Sequence, residues 1–135
     1  MATRALASVL AATTLAGCAG PPSSPRLITT EVSDGYPAAL LEGTLHLTQS
    51  EDHACWTVVP EGGAERYLLL LPEGSQLSDD EASLRIRDAN ADEWLRDGDT
   101  VKVGGGESHV AEWGGALGQC DATDLWLVSP GSGRQ

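Results

Sequence analysis

The sequence predicts an all-β domain, a small five- to six-stranded barrel or a compact sandwich. Three observations carry this. Apolar and polar residues alternate in short runs. Gly, Pro and Asp turns separate the runs at intervals of about ten residues. Only residues 78–82 and 91–95 have a composition suited to short helical turns.

Leu41, Gly43, Leu45 and Leu47 alternate with Glu42, Thr44, His46 and Thr48, which puts the leucines on one face of a first strand. Residues 55–59 form a second apolar strand, stopped by Pro60, and Glu61-Gly62-Gly63 makes the turn. Residues 67–71 are continuously apolar up to Pro72, a length and pattern suited to a strand buried on both faces. Leu84 and Ile86 alternate with Arg85 and Arg87, and Val101 and Val103 with Thr100 and Lys102. Residues 125–128 give the last strand. Barrel closure removes the exposed edges that so short a chain would otherwise present. The expected topology is therefore an oligonucleotide-binding-like (OB-like) barrel.

The N-terminus reads as an export leader. Arg4 and the free amine form a small positive region, and residues 5–15 are apolar or small, too few to span a bilayer. The leader ends in Leu15-Ala16-Gly17-Cys18, which resembles the bacterial lipobox. The resemblance implies a diacylglyceryl group on Cys18 and cleavage just before it. It also implies a lipid anchor on the extracytoplasmic face of the cell membrane. Pro21, Pro22, Ser23, Ser24 and Pro25 follow without apolar periodicity, as in a stiff spacer. The expected organisation is a leader over 1–17, a Pro/Ser-rich tether over 18–35, the β domain over 36–129 and a flexible tail over 130–135.

The chain carries 20 Asp+Glu against 8 Lys+Arg, a net charge of −12. Such a surface repels nucleic acid phosphates and anionic headgroups, so no nucleic acid partner is expected. Besides Cys18 the chain has Cys55 and Cys120. A pair of cysteines in an exported domain is expected to form a disulfide, and the OB-like topology would make it tie the second strand to the approach of the last.

A second resemblance lies in Gly98-Asp99-Thr100-Val101, the Gly104-Gly105-Gly106 run, Cys120 and the strand Leu125-Trp126-Leu127-Val128. These are similar to small lipoproteins of high-GC Gram-positive bacteria. The resemblance implies a compartment and a fold, and no activity.

Candidate chemistry is sparse. Glu51-Asp52-His53 and Glu107-Ser108-His109 join carboxylates to imidazoles, without the spacing of a zinc motif. Asp88, Asn90 and Asp92 have the oxygen spacing of a calcium loop, with Asp99 at position twelve. Glu93, however, stands where that loop needs glycine. Ser108 and His109 lack a nucleophile elbow. No metal, cofactor or catalytic set is expected. The tryptophans are Trp56, Trp94, Trp113 and Trp126; Trp56 and Trp126 are expected in the core and Trp94 and Trp113 in loops.

The expected function is non-catalytic binding or scaffolding at the envelope, to a protein partner or a wall glycan. The expected contact surface is the loop of Gly104, Gly105, Gly106, Glu107, His109 and Trp113, which mixes backbone reach with polar and stacking groups. A small envelope hydrolase and a metal-buffering lipoprotein are the alternatives.

The lipobox sets a first test. The mature protein should begin at Cys18, carry lipid and partition into the detergent phase. Cys18→Ser should abolish lipid labelling. An unmodified mature terminus at Gly20 would refute this.

Overall fold

A computed structural model describes residues 25–32, 35–50, 52–109 and 111–134. The leader, Cys18 and the first part of the expected tether lie outside the described residues. The elements are β1 (Arg26–Leu27), β2 (Thr29–Thr30), β3 (Ala39–Gln49), β4 (His53–Val59), β5 (Tyr67–Pro72), β6 (Gln76–Leu77), β7 (Ser83–Arg85), β8 (Leu95–Arg96), β9 (Thr100–Ser108), α1 (Ala111–Gly114), α2 (Ala116–Gln119), β10 (Asp124–Val128) and β11 (Gly133–Arg134).

Five strands close into a barrel. β3 pairs antiparallel with β4 and with β9, and β9 pairs antiparallel with β10. β10 runs parallel to β5, and β5 returns antiparallel to β4. Numbered along the chain, the barrel strands follow one another around the ring as first, second, third, fifth, fourth. This Greek-key closure is the OB-like topology that the sequence leads one to expect.

The length of β3 makes closure possible. Its first half pairs with β9 and its second half with β4, and Thr44 faces both Thr100 and Val59. A strand that gives one half to each neighbour must bend between them, and Gly43 stands at the bend. A Cβ there would lie 2.4 Å from the Val59 carbonyl oxygen, so only glycine permits the approach.

Period-two alternation fills the interior. Leu41, Leu45, Ala54, Trp56, Val58, Leu69, Leu71, Val101, Val103, Trp126 and Val128 form its main cluster. Leu84, Ile86 and Leu95 join the cluster from the segment between β5 and β9, where β6, β7 and β8 form a small antiparallel sheet.

A second apolar cluster involves the opposite faces of β4, β5 and β10. Cys55, Leu68, Leu70 and Leu125 pack there with Ile28 and Cys120. β5 is therefore buried on both faces, the reason its sequence is continuously apolar. Cys55 and Cys120 are bonded, with Cα atoms 5.5 Å apart. The bond joins the second barrel strand to the segment leading into the fifth, as the topology implied.

The structure corrects several expectations. The tether does not extend over 18–35: β1 pairs with β4, β2 pairs with β5, and Ile28 between them is 1% exposed. β4 and β5 pair with each other at only two positions, and the 26–30 segment bridges them. The tail is also bound, since β11 pairs with β9 and the Ser132 hydroxyl accepts from Gly104 N–H. Residues 78–82 and 91–95 are not helical: 78–82 and 91–94 are turns or irregular, and Leu95 begins β8. Among the described residues the helices are α1 and α2, each four residues long. Helices so short do not hold in isolation; Trp113, Ala116 and Leu117 pack them against the disulfide cluster.

Because Ile28 is a core residue, Ile28→Ala should lower unfolding free energy by about 2–5 kcal/mol, the range for large-to-small core truncation. Chemical denaturation measures this. A change within experimental error would return residues 26–30 to the tether.

Candidate binding site

The six residues of the expected contact surface do not act together. Gly104, Gly105 and Gly106 are not a loop but part of β9, where Gly105 and Gly106 are buried. Gly105 has φ +137°, and a Cβ on it would lie 1.7 Å from the Leu127 carbonyl oxygen. Close passage of β10 therefore requires glycine here, and the two buried glycines offer no surface to a ligand. Glu107 and His109 are exposed. Trp113 is half-buried on α1, edge-on to His53 with ring centroids 5.7 Å apart, and its Nε1 is buried without a hydrogen-bond partner. Trp56 and Trp126 are core residues, as expected, while the Arg85 guanidinium lies 5.1 Å from the centre of the Trp94 ring.

Glu107 has a partner. It accepts a hydrogen bond from Tyr67 Oη at 3.0 Å. Tyr67 packs edge-on against Trp126. Burial, the bond to Glu107 and the charges of Glu107, Glu65 and Asp124 push the Tyr67 phenol up to about 12.

A separate concavity lies on β3 and the end of β4. An open groove of about 770 Å³ is lined by Glu42, Gly43, Thr44, His46, Val59, Pro60, Glu61 and Thr100. It forms where β3 bends and changes partner. Glu42, Thr44 and His46 alternate with the inward leucines and so face outward. His46 Nδ1 lies 3.8 Å from Asp97 Oδ1, and Asp97 also accepts from Leu47 N–H at 2.8 Å. Lys102 Nζ lies 3.1 Å from Glu42 Oε1. All four ion-pairing side chains are substantially exposed, so each pair adds only about 0–1 kcal/mol. Their main effect is a polar surface of mixed charge.

A smaller cleft of about 210 Å³ is lined by Ser108, His109, Gly114, Leu117, Thr123, Asp124 and Leu125. Asp124 there accepts from the Thr123 hydroxyl at 2.7 Å. Among the described residues, no group of three or more His, Cys, Asp and Glu converges as metal ligands. Asp88 and Asp99 serve the turns they sit in. Asp88 has φ +67° and lies 3.9 Å from Arg87 Nε, while Asp99 accepts from Arg96 N–H at 2.8 Å.

Alternation puts Glu42, Thr44 and His46 on one polar face, but no sequence pattern joins Glu61 to them. The groove depends on β3 bending towards two partners, and the signal for that was Gly43 inside an alternating run. Compared with protein-family models, curated proteins and solved structures, the chain matches none.

Tyr67 generates a test. Its folded pKa lies above the ordinary phenol value of about 10, so the folded state holds the proton more tightly. The resulting stability is complete below about pH 10 and is lost as pH rises towards about 12. Across that window wild type should lose more stability than Tyr67→Phe, measured by denaturation at each pH. Equal losses would mean that Tyr67 is not the group responsible.

Proposed function

We propose that the chain is an envelope lipoprotein whose barrel binds a protein partner without catalysis. One observation carries the reading: the tether and the groove meet opposite ends of β4. Arg26, where the described chain leaves the tether, pairs with His53 at the start of β4. The groove takes Val59 from its end. Seven residues of strand separate these ends by about 20 Å. A lipid on Cys18 would therefore hold one end of the domain and leave the groove pointing outward.

The groove's composition favours protein over glycan. Its lining holds no Trp, Tyr or Phe ring for a sugar to stack on. Its outward carboxylates, in a chain of net charge −12, suit a basic protein surface and would speed encounter with it. The partner's charge would be read by Glu42 and Glu61, and its shape by the Thr44 and Pro60 walls.

A photo-crosslinker at Thr44 in cells should give a discrete adduct with one envelope protein. Glu42→Lys combined with Glu61→Lys should weaken binding to that protein about tenfold or more, with a steeper loss at low salt. The melting temperature should barely change, because both side chains are on the surface. Unchanged capture by the double variant would refute the groove as the binding site.

A further inference from the structure

We infer that the α1–α2 insert is the surface on which the anchored barrel rests against the membrane, an inference that depends on the lipoprotein reading above. The first ground is reach. Eight peptide steps separate Cys18 from Arg26. A proline-rich chain spans about 25 Å in that number, at about 3.1 Å per residue. A domain of this size is roughly 35 Å across. The tether is thus shorter than the domain it holds, so the side bearing Arg26 faces the bilayer.

The second ground is what lies on that side. Arg26 pairs with His53, and His53 touches the Trp113 ring on α1. The disulfide then fixes the end of the insert to Cys55, two residues further along β4. The insert and the end of the tether are neighbours.

The third ground is charge. Residues 110–119 include a single charged residue, Glu112, in a chain that is 21% charged. Gly114, Gly115 and Gly118 are exposed, and Trp113, Ala116 and Leu117 are half-buried. Few charges need be stripped of water when this surface meets headgroups. Indole and leucine side chains gain from that boundary. Exposed Arg26 at the margin suits lipid phosphate, while the acidic remainder of the domain is repelled from it.

The test couples the mature chain to vesicles through Cys18, the one thiol left free by the Cys55–Cys120 bond. A maleimide lipid serves as anchor, in phosphatidylcholine with brominated acyl chains. Bromolipid should quench tryptophan emission, and Trp113→Phe should reduce the quenched signal at least about twofold, as expected of an indole at the interface. Gly114→Glu with Gly115→Glu should do the same by placing charge on the surface. A Cβ at either glycine meets no atom within 4 Å, so this variant keeps its fold. Absent quenching, or quenching unchanged in the glycine variant, would overturn the inference. So would a photo-crosslinker at residue 115 that links a protein rather than lipid in cells. Native protein without lipid on Cys18 would sink the anchor reading and this inference together. Lost contact with the lipid present would sink only the inference.

Discussion

Every strand of this five-stranded barrel has two neighbours, and β3 reaches its two by bending, so that closure rests on that bend. It gives its first half to β9 and its second half to β4, turning at Gly43. The other features of the fold follow from this bend. It brings Trp56 and Val58 of β4 over Leu41 and Leu45, so both halves of β3 contribute to one interior. The groove of Glu42, His46 and Glu61 lies at this bend, where β3, the end of β4 and Thr100 meet. The glycine that makes the barrel possible also makes the groove.

The closure has a weak seam, and the second apolar cluster covers it. β4 and β5 share only two residue pairs. Beyond these, each strand takes a partner from the 26–30 segment. Ile28 then seals the join alongside Leu68, Leu70 and the disulfide. In the chain-entropy account, a cross-link spanning 65 residues contributes about 4 kcal/mol by restricting the unfolded chain. That is a large share of the net stability expected of a small domain. The bond also holds two four-residue helices that have no side-chain cap of their own at α2. A small barrel thus gains a second core without a second sheet to build it.

The strands of the barrel were legible because each buries one face or two, and burial leaves a period of two or an unbroken apolar run. Residues 67–71 illustrate the second case. The two-residue strands were not legible, because a pair of residues has no period. Ile28 has only Leu27 as an apolar neighbour in a stretch otherwise of Pro, Ser, Arg and Thr, and Thr29-Thr30 reads as linker until β5 is seen beside it. Gly104, Gly105 and Gly106 misled for a related reason. A glycine run resembles a loop when taken locally, but Gly105 answers to the Leu127 carbonyl oxygen, and that neighbour lies 22 positions away in the chain. The candidate groove was legible only in part. His46 showed its outward orientation through alternation, whereas Glu61 reached the same groove through a turn and a pairing register that no local pattern encodes.

On the proposed anchoring at Cys18, a shorter tether changes the mechanical character of the whole chain. With a free spacer through residue 35, the barrel could present any side to a membrane, and the position of its groove would carry no meaning. Strand pairing from Arg26 onward removes that freedom, because the tether then joins the barrel beside His53 in a defined direction. Orientation follows from two backbone ladders and one buried isoleucine. Electrostatics act in the same sense: the acidic bulk is repelled from anionic headgroups, and the charge-poor insert is not. On that reading, position along β4 becomes position relative to the envelope, with Trp113 near its start and the Glu42–Glu61 groove at its end.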